Sequence, residues 1–314
     1  ILFLRHVVVF VFLIPLLIII FLGGNEAKGF TFGFISMVLI GTNHLFISTL
    51  VRAMGDAQLW FFSFLFLLLV MYFSKFHKKT LVAEKLSDLS FLTLAFLTAL
   101  GVCAGLAVST KLNGVLVLFF FLAHYVYQFL SKKIELFSAV FHTVFITCIA
   151  YGVFYLLNPF LWSNPIVNTK FMAEFRLTTF ESQQQENQKN QLITPKAKIS
   201  AVYDYTLSPD SWYVNFKFDA LDNQKYLFPL DILLILTSLL VLFAKRKSHT
   251  ESLKTLLIFI AFFVVITTIF LPLKWDRYFL PHMFSWGFLQ AYALTFIIQK
   301  LLSEDYSADK RIEK

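Results

Sequence analysis

Apolar residues run along almost the whole chain in blocks of 17 to 24, separated by short polar groups. A helix that crosses the hydrocarbon core of a bilayer needs about 20 apolar residues. The blocks predict nine such helices, over roughly 6–23, 31–51, 57–73, 89–109, 114–131, 134–157, 227–244, 255–273 and 278–301. Several fall short of the ideal length, which predicts kinked or partial spans. The pair 89–109 and 114–131 is divided only by TKLN and Gly114. Backbone groups in lipid must bond internally, and unbroken apolar runs of this length fit helices rather than the alternating strands of a barrel. One polar stretch, 165–226, interrupts the pattern. The expected fold is therefore an all-α polytopic membrane protein in four parts. These are six helices in 1–164, a partly ordered loop over 165–226, three helices in 227–301 and a short tail over 302–314.

Composition agrees. Hydrophobic residues make up 58% of the 314 and charged residues 15%, against about a quarter charged in a soluble domain. The excess of 27 Lys and Arg over 19 Asp and Glu sits in the connections between apolar blocks, which is a topology signal and not a nucleic-acid footprint. One alternate set of connections holds Lys28, the cluster Lys75 to Lys85, Lys132 and Lys133, the cluster Lys245 to Lys254, and Lys300 to Lys314. The opposite short connections hold only Arg5, Arg52, Lys111, Lys274 and Arg277. The positive-inside rule puts the first set, with the C-terminus, in the cytoplasm, and the loop over 165–226 outside. The first block lacks the basic start and small-residue cleavage site of a signal peptide. It reads as a transmembrane helix in a chain missing its natural beginning. Cys103 and Cys148 each lie within an apolar block and read as small buried hydrophobes.

Charges at membrane depth are costly and mark functional sites, so the few outer ones need a reason. In RAMGD, Arg52 and Asp56 stand four apart. They suit either an ion pair with Asp56 capping a helix that begins at Ala57, or a carboxylate held at the mouth of a cavity. Lys111 follows GVCAGLAVST, whose Gly101 and Gly105 suit close helix packing; it reads as a snorkelling lysine or as a cation for an anionic headgroup. NPFLWSNP, 158–165, reads as a helix stop with an aromatic anchor. SPDSWYVNFKF, 208–218, reads as a folded lid at the membrane surface. In KWDRYFLPH, Arg277 precedes the last span, Pro281 fits its first turn, and a guanidinium fork suits phosphate better than a point charge does; pairing with Asp276 is the plainer reading. Together Arg52, Asp56, Lys111 and Arg277 form a mixed carboxylate-and-cation site suited to chemistry on a lipid phosphate.

The order R-x-x-x-D, then G-L-A-x-S-T-K, then N-P-F-L-W, then a long outer loop, then D-R-Y-x-L-P, resembles the dolichyl-phosphate-mannose–protein mannosyltransferase family (glycosyltransferase family 39) and its bacterial relatives, over about residues 5–295. The resemblance implies a C-type glycosyltransferase fold in the cell membrane. It implies transfer of a hexose such as mannose, with inversion, from a polyprenyl-phosphate donor to a protein or glycan acceptor on the extracytoplasmic face. By the same resemblance the general base sits on a loop before Ile1, and Arg5 begins the next helix. Asp56, beside Arg52, matches a supporting acidic position, while Lys111 and Arg277 match positions near the donor phosphate. His44 stands where many relatives carry proline, and it is left outside the site. No organic cofactor is implied. Asp56 alone cannot hold a divalent ion, which needs several ligands, so a metal requirement is open. A secondary transporter, a lipid-linked glycan polymerase or ligase, and a non-enzymatic scaffold are the competing readings.

Overall fold

The computed structural model describes residues 8–52, 54–77, 90–208 and 230–312. Twelve α-helices run through these residues. They are α1 (Ile14–Lys28), α2 (Phe30–Gly41), α3 (His44–Arg52), α4 (Met54–His77), α5 (Phe91–Thr110), α6 (Leu116–Leu130), α7 (Leu136–Leu157), α8 (Pro165–Glu186), α9 (Pro195–Thr206), α10 (Leu230–Ala244), α11 (Glu251–Ile269) and α12 (Leu280–Ile312). No strand is present among the described residues; a single antiparallel bridge joins Gln191 to Leu273. Six helices are long and apolar enough to cross a membrane, and a bent pair, α2 with α3, brings the number to seven.

The departures from nine straight spans have local causes. The block at 31–51 is broken at Thr42–Asn43, and its halves are bent by 64°. Asn43 is buried and its side-chain oxygen accepts from the backbone N–H groups of Leu45 and Phe46, at 2.9 and 3.4 Å, so it starts a new helix inside an apolar run. α10 has only 15 residues. α12 is long, but it carries His282, Ser285, Gln290 and Thr295 in its first turns, all buried. It sits inside the bundle against α2, α10 and α11, where its polar groups meet protein rather than lipid. Gln290 Nε2 donates to Asp231 Oδ1 at 2.6 Å across the buried seam with α10. The first helix opens with a π-helical turn, Val9–Leu13, just before Pro15. Proline lacks an N–H and its ring crowds the carbonyl four residues back, which a widened turn accommodates.

α4 and α11 form the middle of the bundle. α4 packs against α1, α5 and α11, and α11 also meets α6 and α12. Aromatic side chains fill the seam, with Trp60, Phe64, Phe259, Phe263 and Phe284 in mutual ring contact. α5 and α7 approach most closely at the glycines noted in the sequence. A Cβ on Gly101 would lie 2.5 Å from Ile149 Cβ, and one on Gly105 would lie 2.6 Å from Val153 Cβ. Of the two cysteines, Cys103 is buried as expected, but Cys148 is exposed on the outer flank of α7; both are free.

Charges sort to the two ends. At one end Glu26 accepts from Lys75 at 3.0 Å and from Ser252 at 3.2 Å, and Glu251 pairs with both Lys133 and Lys254. This cation-rich end gathers the connections that the sequence sorts to one side. The other end carries the loop helices. Asn164 caps α8, with Pro165 in its first turn, and Thr194 caps α9. Leu192 N–H donates to Pro272 O and Lys274 N–H to Asn190 O, so the loop is stitched to the α11–α12 connection. The lid expected over 208–218 lies outside the described residues from position 209 onward, as does Arg5.

Gly105→Ala must drive α5 away from α7, because the new methyl would also meet the Ala150 carbonyl at 2.7 Å. The expected cost is about 1–3 kcal/mol, read as a lowered Tm in detergent, while Gly152→Ala, with open space at its Cβ, stays within error of the parent.

Candidate functional site

The site is built at the loop-bearing end, where α5 stops. Ser109 and Thr110 turn their hydroxyls onto the carbonyls of Gly105 and Ala107, each at 2.7 Å, and the helix ends with Lys111 extended at φ −154° and ψ 140°. A 3-10 turn, Leu112–Val115, then reverses the chain into α6, with Gly114 N–H donating to Lys111 O at 2.8 Å. Gly114 is pressed against the carbonyl of Ala107, where no side chain fits. This tight reversal throws the Lys111 side chain across α4. It passes over Gly55, whose missing Cβ would sit 3.2 Å from Lys111 Cε, and its ammonium pairs with Asp56.

Asp56 lies in the first turn of α4, inside a helix described from Met54, and so does not cap a helix beginning at Ala57 as the sequence suggested. A carboxylate there also meets the positive end of the helix dipole. Its residue is 5% exposed, its Oδ1 accepts from Lys111, and its Oδ2 has no partner. Lys111 keeps more contact with water, at 27% side-chain exposure. The result is a buried, nearly neutral pair with an open acceptor on one side and spare N–H donors on the other. Such a pair can take a hydroxyl on the carboxylate and an anionic oxygen on the ammonium at once.

The sequence expectation that Arg52 partners Asp56 is not tested, because the Arg52 side chain lies outside the described residues. Asp56 is supplied with a cation by Lys111, 55 residues away.

Arg277 reaches the same end by another route. It lies in a 3-10 turn, Asp276–Phe279, that packs against α3 and α9. Its guanidinium lies over two rings that stack on each other, 4.7 Å from the centre of Trp275 and 5.3 Å from that of Tyr278. The expected pairing with Asp276 is absent: Arg277 forms no ion pair among the described residues. No hydrogen bond or ion pair joins Arg277 to the Asp56–Lys111 pair either; the two are connected through α3.

Four features at this end were not singled out in the sequence. Thr49 Oγ1, on α3, is buried without a partner. His282, at the start of α12, is fully buried; its Nε2 meets Thr268 Oγ1 at 2.8 Å, and its Nδ1 has no partner. Tyr205 of α9 stacks on Phe279 at 4.3 Å and donates to Lys274 O at 3.2 Å. Burial, and then the charge of Asp276, raise the Tyr205 phenol above its ordinary value, so it remains a donor at neutral pH. Trp286 Nε1 donates to Thr206 Oγ1 at 2.9 Å, which pins the end of α9 to α12. A histidine one turn after DRY and a threonine in the STLVR segment were visible signals; their burial was not. Among the described residues no three His, Cys, Asp or Glu side chains converge as metal ligands.

No protein family, curated protein or solved structure matches this chain.

Removing one partner of a buried pair strands the other charge. Lys111→Met should therefore cost about 3–5 kcal/mol of stability. The double variant Asp56→Asn/Lys111→Met should recover most of that loss, read by thermal denaturation in detergent. Equal Tm values for the single and double variants would show that Lys111 does not neutralise Asp56.

Proposed function

We propose that the chain is a membrane glycosyltransferase of the C-type fold, moving a hexose from a polyprenyl-phosphate donor to a protein or glycan acceptor. The observation that carries this reading is the buried Asp56–Lys111 pair with one carboxylate oxygen open, at the same end as Arg277 on its aromatic stack. The order of motifs along the chain is consistent with it. In this reading the loop-bearing end faces the extracytoplasmic side of the cell membrane, and the cation-rich end with the C-terminus faces the cytoplasm, which agrees with the positive-inside rule.

The proposed chemistry follows from charge. The leaving polyprenyl phosphate develops negative charge as the glycosidic bond to the sugar breaks, and the Lys111 ammonium and the Arg277 fork neutralise it. Asp56 holds Lys111 in place and offers Oδ2 to an acceptor or sugar hydroxyl. The proton of the acceptor hydroxyl passes to a general base, a role that this reading assigns to none of Arg52, Asp56, Lys111 and Arg277. α9, fastened through Tyr205 and Trp286, roofs this end and limits water access.

A second reading, a secondary transporter, draws on one specific feature, the 64° break between α2 and α3, since transporters build midplane sites from broken helices. The two are separated by one assay: full-length protein in liposomes with a radiolabelled polyprenyl-phosphate hexose. Release of the hexose to an acceptor supports the transferase; coupled uptake of solute without hexose release supports the transporter.

In that assay Asp56→Asn should lower kcat on the order of 100-fold with expression intact, and near-parental turnover would reduce Asp56 to a structural pair. Arg277→Ala should raise the donor KM about ten-fold and leave the acceptor KM in place, the worth of one charge-assisted hydrogen bond. Unchanged donor kinetics would remove Arg277 from the phosphate site.

A further inference from the structure

At the cation-rich end, far along the bundle from Asp56, two lysines converge with no acid paired to either among the described residues. Lys28 is the last residue of α1 and Lys245 immediately follows α10. Each therefore sits at a helix C-terminus, where the backbone dipole favours a cation. The Lys28 ammonium lies 3.5 Å from the centre of the Tyr292 ring, and that of Lys245 lies 4.7 Å from the centre of Phe296. These rings are one turn apart on α12, and the two ammonium groups are near enough to repel each other. His249 packs edge-on to the same Tyr292 ring at 6.4 Å, with its Nε2–H donating to Leu242 O at 2.9 Å. Thr250 Oγ1 donates to Ala27 O at 2.9 Å and fastens this loop to the end of α1.

Two glutamates described at this end are engaged elsewhere. Glu26 holds Lys75 and Ser252, and Glu251 holds Lys133 and Lys254. Neither Lys28 nor Lys245 forms an ion pair among the described residues. Lys28 is half-buried, whereas Lys245, Arg246 and Lys247 are exposed beside it. An aromatic face offsets part of the cost of holding a cation, but it covers only one side of an ammonium and leaves its remaining donors open. Two mutually repelling cations on a partly dry seam are the electrostatic complement of a single anion.

We propose that this seam between α1, α10 and α12 binds the phosphate of an anionic phospholipid, with Lys28 and Lys245 sharing its charge and Arg246 gripping it from the rim. Phosphate is the shared chemistry of a lipid headgroup and a free oxyanion. The flank of α10 favours the lipid: Leu233, Leu236, Leu240 and Phe243 are exposed along it, with Phe243 two residues before Lys245, so acyl chains have an apolar surface running away from the charged seat. The site is independent of the sugar-transfer reading, because it lies at the opposite end and uses none of the same residues.

The test is lipid binding by the purified full chain in neutral detergent, followed by native mass spectrometry and thermal shift. The probes are dioleoyl phosphatidylglycerol, dioleoyl phosphatidylcholine and inorganic phosphate. Phosphatidylglycerol should bind and raise Tm, and phosphatidylcholine should do neither. Lys245→Gln should weaken phosphatidylglycerol binding about five-fold, and Lys28→Gln/Lys245→Gln about 25-fold, the loss expected for one and two cations facing an anionic lipid. Lys196→Gln, an exposed change at the other end, should leave binding unaltered. Equal binding of the two lipids, or an indifferent Lys245→Gln, would overturn the site. A full effect from inorganic phosphate alone would replace the lipid with a free oxyanion. Lys245 is exposed, so its single variant keeps the measurement interpretable if the double variant does not fold.

Discussion

A carboxylate withdrawn from water inside an apolar bundle needs a cation within reach, and the loop-bearing end of this protein is arranged around providing one. Asp56 stands in the first turn of α4; the only way for Lys111 to reach it is for α5 to stop, reverse on Gly114 and lay a lysine stem across Gly55. Four separate sequence choices serve that single contact: a carboxylate, a lysine, Gly114 where a methyl group would collide with Ala107, and Gly55 where one would crowd the lysine stem. The pair then sets the register of α4 against α5, because sliding either helix by one turn, about 5.4 Å, would separate the charges. α4 also packs on α1 and α11, so that register passes into the middle of the bundle.

The same logic of matched charge explains how the two ends differ. At the cation-rich end two glutamates each collect more than one donor, and the surplus lysines settle on aromatic faces and helix C-termini. At the loop-bearing end the surplus cation, Arg277, rests on stacked rings in a turn beside α3. Aromatic residues thus do two jobs here. They fill the core between α4 and α11, and at both ends they hold cations that pair with no acid among the described residues.

How much of this the chain discloses in one dimension depends on distance along it. Long apolar helices are legible, since their signal lies within about 20 residues, and so is the close approach of α5 to α7 through Gly101 and Gly105. The helix stop at Asn158 is legible too, because Pro159 and the asparagine act on their nearest neighbours, whereas the same segment's Asn164 starts a new helix that the sequence reading did not anticipate. The break at Thr42–Asn43 was hidden: a capping asparagine was present, but the apolar run around it outweighed that one residue. α10 and α12 mislead in opposite ways, one being apolar but short and the other long but polar, because enclosure by protein relaxes the composition that lipid demands. The partner of Asp56 was out of reach of any local rule. Lys111 is 55 residues away along the chain and adjacent in space. The rings around Arg277, in place of Asp276, depended on the turn geometry.

The stitching of the loop to the α11–α12 connection bears on the order in which the protein is made. Residues 190–206 find their partners at 269–286, in Ile269, Pro272, Lys274, Phe279 and Trp286, and so they cannot dock until some 80 further residues have left the ribosome. Until then α8 and α9 must remain stable as solitary helices, which the side-chain caps at Asn164 and Thr194 favour. The Asp56–Lys111 contact, by contrast, closes as soon as α5 has emerged. Biogenesis therefore assembles the charged floor of this end early and its roof last, when α12 arrives.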